Sequence, residues 1–138
     1  MSEKEICERL KQSVIDMDAD AAKEAANNAI EQNMDPIACI EKGLSEGMMV
    51  ISDMFDNAQV YVPQTILSAE AFTDAVDILA SHIKGGYAAK GKIIIHTVEG
   101  DIHDIGKNIV GILLQANGYE VIDLGRDVPV SDVVDAAI

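Results

Sequence analysis

The chain has 138 residues, 49% of them hydrophobic and 4% aromatic, with no tryptophan, a length that suits one domain or two small ones. Asp and Glu number 24 against 10 Lys and Arg, a formal charge of −14 at pH 7, which disfavours nucleic acid and anionic membranes as partners. No apolar run approaches the ~20 residues of a membrane span, Met1-Ser2-Glu3-Lys4-Glu5 lacks a signal-peptide core, and Cys7 and Cys39 read as isolated, buried, reduced thiols; a cytoplasmic protein is expected.

Up to about Gly91 every pattern is helical. Ile6, Leu10, Val14 and Met17 recur at helical spacing and form one apolar stripe. Asp18 or Asp20 can cap a second helix through Ala21, Ala22, Ala25, Ala26, Ala29 and Ile30, whose small side chains allow close packing. Asn33 is its expected terminus. Asp35-Pro36 restarts with a cap and a first-turn proline. Ile37, Ile40 and Leu44 make the next stripe, Gly47 offers a bend, and Met48, Val50, Ile51, Met54 and Phe55 follow. After Asn57-Ala58-Gln59, Val62-Pro63 opens a long helix whose Ile66, Leu67, Phe72, Val76, Leu79 and Ile83 are expected to face inward. His82, near its end, caps carbonyls or faces water. Gly85, Gly86 and Gly91 read as a linker with hinge positions, dividing the chain into residues 1–90 and 91–138.

Beyond the linker the period changes. Lys92 to Val98 is an apolar, β-branched run that reads as a buried parallel strand, with His96 inside it as a core or interface imidazole. Ile109 to Leu114 fits one side of a helix, Gly118 ends it, and Glu120-Val121-Ile122-Asp123-Leu124 supplies a second strand. Glu99-Gly100-Asp101-Ile102-His103-Asp104-Ile105-Gly106-Lys107-Asn108 is then the first loop of a β-α-β unit. Ligands collect at that place, beyond the carboxyl ends of parallel strands. Ser131-Asp132 starts another helix. Two strands and one crossover helix cannot bury both sheet faces, so a truncated chain, or a fragment needing a partner, is expected.

Three chemistries could use the loop. Phosphate cradling is disfavoured: Gly100 and Gly106 fit neither the dinucleotide nor the P-loop glycine spacing, and Glu99, Asp101 and Asp104 would repel a phosphate. A metal site built from Asp101, His103 and Asp104 alone lacks enough ligands for a coordination shell. In the third, His103 donates one nitrogen to a metal already held in an organic macrocycle, while Asp101 accepts a hydrogen bond from the other imidazole nitrogen. The loop composition fits the third best. The spacing fits equally a solvated loop whose Asp101 and Asp104 merely cap the helix.

Asp101-x-His103-x-x-Gly106, within the run from Thr97 to Val110, resembles the cobalamin-binding signature of methyltransferase corrinoid proteins and the matching module of cobalamin-dependent methionine synthase. The similarity continues through Gly118-Tyr119-Glu120-Val121-Ile122-Asp123-Leu124-Gly125-Arg126-Asp127-Val128-Pro129. In the helical half, Gly47-Met48-Met49-x-x-x-x-Met54-Phe55, Tyr61-Val62-Pro63-Gln64 and Ser68-Ala69-Glu70-Ala71 are similar to the domain that precedes this module. The resemblance implies an α + α/β fold: a helical bundle, then the start of a flavodoxin-like (Rossmann-like) parallel α/β domain, cut before the family's serine and glycine-rich motifs. It implies cobalamin as cofactor, with His103 coordinating cobalt from below, Asp101 hydrogen-bonding the imidazole and Gly106 permitting close packing under the corrin. Gly100, Ile102, Asp104 and Ile105 complete the implied cofactor-binding loop. The helical cap would cover the upper corrin face, with Met54, Phe55, Tyr61 and Val62 as contacts. A non-catalytic methyl carrier is implied. Its partners would be a substrate:corrinoid methyltransferase, a corrinoid:acceptor methyltransferase delivering to a thiol or pterin, and a reductive activase. A cobalamin-binding sensor or the cobalamin subunit of a mutase would share the same loop.

Overall fold

Ser2 and Glu5 begin the first helix reciprocally: the Glu5 N–H donates to Ser2 Oγ at 3.3 Å and the Ser2 N–H donates to the Glu5 carboxylate at 2.7 Å. Two N–H groups that a helix start leaves unpaired are thereby satisfied. The computed structural model describes residues 2–83, 90–102, 105–116 and 118–138. Helix α1 spans Glu3–Ile15 and α2 spans Ala19–Glu31. Of the two candidate caps, Asp18 serves: its Oδ1 accepts from the Ala21 N–H at 3.0 Å. Asn33, at φ +53°, turns the chain after α2 as expected. Asp35 then accepts from the Ile37 N–H at 3.0 Å and caps α3, Pro36–Cys39. A π-helical turn, Ile40–Leu44, joins α3 to α4, Ser45–Asp56. Helix α5, Val62–Ala80, closes the helical unit, and His82 Nδ1 lies 3.0 Å from the Ile78 carbonyl at its end.

The core of this unit follows the predicted stripes with four corrections. Ile6, Leu10, Val14, Ala22, Ala26, Ala29, Ile40 and Leu44 are fully buried. Met17 is not part of the α1 stripe; it sits in the turn beyond the helix at φ +60°, half-buried. Ile37 is exposed, and the buried residues of this stretch are Cys39, Ile40 and Leu44. In α5 the buried residues are Thr65, Ser68, Ala69, Ala71, Phe72, Ala75 and Leu79, most of them linked by steps of three and four. Leu67 falls between those positions and is 47% exposed, while Ile83 lies past the helix end. Small residues mark the inner face here because neighbouring helices come close.

Gly47 is not a bend. A Cβ there would stand 2.8 Å from the Lys11 carbonyl oxygen and 2.9 Å from Val14 Cβ, and one on Gly43 would stand 3.0 Å from both the Cys7 carbonyl oxygen and Leu10 Cβ. The two glycines, four apart, let the segment through the π turn and α4 lie directly on the backbone of α1.

The chain divides into two compact units, Met1–Ala88 and Ala89–Ile138. In the second, β1 (Lys92–Ile95) pairs in parallel with β2 (Glu120–Asp123), Lys92 opposite Glu120 and Ile95 opposite Asp123. Helix α6, Ile105–Ala116, is the crossover, and α7, Val130–Ala137, follows β2 without a buried residue. Strand β1 is shorter than its apolar run: it stops at Ile95, leaving His96 just past the strand, and Val98 pairs again only with Val128. A Cβ on Gly111 would meet Ile95 Cδ1 at 2.8 Å, so α6 lies tightly over β1. Gly118, at φ +92°, reverses the chain into β2 as glycine readily does. Gly85 and Gly86 lie outside the described residues; Gly91 directly precedes β1. No described helix is long and apolar enough to cross a membrane.

Candidate cofactor site

Past the carboxyl ends of β1 and β2 the two chains remain laced together. Leu124 N–H donates to the Ile95 carbonyl, Thr97 N–H to the Gly125 carbonyl, and Val128 N–H to the Thr97 carbonyl, each at 3.0 Å. The parallel ladder thus continues as a pair of loops. Gly100 at φ +87° and Gly125 at φ +90° supply the left-handed turns these loops need. Asp101 N–H donates to the Val98 carbonyl at 3.0 Å, closing a tight turn around Gly100.

Asp127 joins the two loops more closely. Its Oδ1 accepts from the Gly100 N–H at 2.7 Å, and its own N–H donates to the Asp101 carbonyl at 3.0 Å. It does so at φ +53°, a region that Asp tolerates better than most side chains. On the other side of the site, Lys107 Nζ lies 2.6 Å from Asp123 Oδ1, which also accepts from the Gly125 N–H at 2.8 Å. The lysine side chain is only 10% exposed. The Lys107 hydrogen bond, followed by that of Gly125, holds the Asp123 carboxyl below the usual carboxylate range.

The sequence-predicted residues fall as follows. Gly100 is exposed at the turn, and Asp101 is half-buried beside it. Ile102 is 61% exposed. His103 and Asp104 lie outside the described residues, so the Asp101–His103 hydrogen bond does too. Ile105 and Gly106 are not in the loop: they begin α6, together with Lys107 and Asn108. The loop is shorter than the charged decapeptide because Ile105 already stands in helical register with Ile109 and Ile112, a pattern masked by the surrounding charge. The structure therefore brings Gly100, Asp101 and Ile102 to one end of the sheet and Gly106 to the first turn of the adjoining helix.

In the helical unit, Met54 lies in the last turn of α4 and is half-buried, with its carbonyl accepting from the Gln59 N–H at 2.8 Å. Val62, the first residue of α5, is half-buried. Tyr61 caps α5 with its backbone, its N–H donating to Gln64 Oε1 at 2.8 Å, and its side chain is 63% exposed. Phe55 is exposed as well. The α4–α5 connection gathers all four, three of them next to a helix end.

Sequence reasoning missed Lys107, Asp123 and Asp127. Lys107 entered only as a member of the charged loop, and Asp123 as a strand residue. The signal that could have found the aspartates is turn chemistry: Asp123-x-Gly125-x-Asp127 directly after a strand, with side chains that satisfy backbone N–H groups. Among the described residues no three His, Cys, Asp or Glu side chains gather in a way that could hold a metal.

A helical unit followed by a parallel β-α-β unit, with a glycine-turned acidic loop at the strand ends, defines a cofactor-binding module. Two family models described as B12 binding domains match residues 6–80 and 91–138, and the chain belongs to that family. It is 38% identical to trimethylamine corrinoid protein 2 of Methanosarcina acetivorans, over 96% of this chain and 63% of that protein. It is 39% identical to the methanol–corrinoid protein of Methanosarcina barkeri, over 90% of this chain and 48% of that protein. The crystal structure of the methanol:cobalamin methyltransferase complex MtaBC from Methanosarcina barkeri matches with a TM-score of 0.88 at 36% identity, covering 99% of this chain and 53% of that one. The chain thus spans less than two thirds of the length of these relatives.

The described residues fit a cobalamin. Ile102, at 61% exposed, and Val98, at 60%, present apolar surface at the strand ends, as a corrin edge would require. Among the described residues, and beyond the adjoining backbone, no atom lies within 4 Å of where a Cβ on Gly100, Gly106 or Gly125 would stand, so a bulky planar group can approach that backbone. Thr97 Oγ1 is buried there with no hydrogen-bond partner among the described residues, and a buried hydroxyl left so is costly without one.

Proposed function

We propose that this chain is the cobalamin-holding part of a methyl-carrying corrinoid protein. The observation that carries the reading is the placement of Asp101-x-His103-x-x-Gly106: its first residue lies in a braced turn at the carboxyl end of β1 and its last in the first turn of α6. Cobalamin, when bound, supplies a cobalt centre able to accept and release a methyl group. His103 is the proposed cobalt ligand. Asp101 is proposed to take the hydrogen bond of the other imidazole nitrogen, fixing the tautomer and raising the basicity of the ligand. Gly100, Ile102, Asp104, Ile105 and Gly106 are the proposed floor of the site.

Residues 1–90 are the proposed cap and 91–138 the proposed lower module. Met54, Tyr61 and Val62 are the proposed corrin contacts of the helical unit, where apolar side chains would exclude water from the reacting face. The exposure of Tyr61 supports this, since a ring in the core could meet no ligand. A substrate:corrinoid methyltransferase and a corrinoid:acceptor methyltransferase are the proposed partners, with a reductive activase to restore the reduced metal. The names of the relatives, which include methylamine and methanol corrinoid proteins, support that assignment. The two free cysteines support a cytoplasmic setting.

The test uses cobinamide, which has no nucleotide base of its own to place a nitrogen on cobalt. In its cobalt(II) form, bound to the wild-type chain, the electron-spin spectrum is expected to show splitting by one axial nitrogen. His103→Ala should remove that splitting. The same nitrogen pattern in both proteins would refute the assignment of His103.

A further inference from the structure

We infer that Asp127 is a positioning residue that fixes the Gly100–Asp101 turn leading to the proposed ligand His103, acting from the neighbouring β2–α7 loop. The inference rests on the cobalamin reading above but on different residues. Asp127 makes two bonds to adjacent residues of the first loop: its carboxylate takes the Gly100 N–H at 2.7 Å and its backbone N–H donates to the Asp101 carbonyl at 3.0 Å. The Gly100–Asp101 peptide is thereby gripped at both of its neighbouring polar groups. That peptide lies two residues before His103, so its orientation sets where the Asp101 side chain and the following backbone begin.

Asp127 holds its own position at a conformational cost, a left-handed φ of +53°, as expected where side-chain and backbone contacts both depend on that shape. Gly125 anchors the same loop from beneath, through its carbonyl to Thr97 N–H and its N–H to Asp123, and Asp123 in turn holds Lys107. One short segment, Asp123 to Asp127, therefore fixes both flanks of the ligand loop: Gly100 and Asp101 before the histidine, Lys107 after it. A carboxylate accepting a backbone N–H is a charge-assisted bond, stronger and shorter than a neutral one. These hydrogen bonds join protein groups and need no atom of a cofactor, and a preorganised site loses less entropy on binding.

The experiment compares Asp127→Gly, Asp127→Ala and Asp127→Asn in the whole chain. Glycine keeps the left-handed backbone without strain but removes the carboxylate; asparagine keeps both the backbone preference and an acceptor oxygen. Two quantities are read: hydrogen exchange of the Gly100 amide in the cofactor-free protein, and affinity for cobinamide together with its axial-nitrogen splitting. Asp127→Gly and Asp127→Ala should speed Gly100 exchange about tenfold or more, the scale of one lost charge-assisted bond, weaken cobinamide binding to a similar degree, and diminish the nitrogen splitting. Asp127→Asn should restore all three towards wild type, which a general loss of stability would not produce. Wild-type exchange and splitting in Asp127→Gly, or no rescue by Asp127→Asn, would overturn the inference. Should the wild-type chain take up no cobinamide, the cofactor reading fails, and Gly100 exchange in the variants still decides whether Asp127 braces the loop.

Discussion

Cys7 and Cys39 show how far a residue's surroundings set its chemistry. Both are free, and both are buried in the helical unit. Burial pushes the Cys39 thiol up to about 12 and raises that of Cys7 as well, because a thiolate is poorly solvated away from water. The thiolate is the reactive form, so neither sulfur should react with iodoacetamide at mildly alkaline pH while the chain is folded. Mass analysis is expected to show no modification in the native protein and two in urea. A native protein that is readily alkylated at Cys39 would mean that this core opens easily. Their burial was legible in sequence because each stands in a helical pattern; they are not isolated, since the two thiols interact with one another. Asp127 was not legible as a loop partner. It lies 27 positions from Gly100, and nothing local in a chain announces a bond across that separation.

At the scale of elements, the helices were the most legible part, since apolar periodicity and side-chain caps are local properties. Asp18, Asp35 and Gly118 act as helix signals where the pattern put them. The errors fall where a neighbour decides. Gly47 looks like a breaker in isolation, yet it serves as a contact surface: the Lys11 carbonyl oxygen and Val14 fill the space its side chain would occupy. Gly47→Ala should therefore destabilise the helical unit although alanine is the better helix former, since the clash is with backbone that cannot rotate away. A loss of about 1–3 kcal/mol in urea unfolding is expected. An unchanged or raised midpoint would show that propensity outweighs the close approach. Leu67 is the same lesson in reverse. Its hydrophobicity suggested the core, but the buried face of α5 is mostly alanine, serine and threonine, with Phe72 and Leu79 its only large apolar side chains.

For the whole molecule, charge is the property read most directly from composition. With a formal charge of −14 at pH 7, the folded chain repels itself, and its described ion pairs other than Lys107–Asp123 are at 3.6–3.9 Å between largely exposed groups. Such pairs stabilise little. Raising sodium chloride from about 0.02 M to about 0.3 M shortens the screening length and should raise the melting temperature by a few degrees. A fall in melting temperature would indicate that the ion pairs outweigh the net repulsion.

The sequence by itself determined the class of each half, the helix signals at Asp18, Asp35 and Gly118, and the loop that carries the family's signature, because these depend on residues near one another in the chain. The resemblance to the family was legible in the same stretch, and the family models match residues 6–80 and 91–138. The tertiary structure decided which glycines are contacts rather than bends and which aspartates brace the loop. Those outcomes depend on what lies opposite a residue in space, and close packing with paired polar groups is a property of two segments at once.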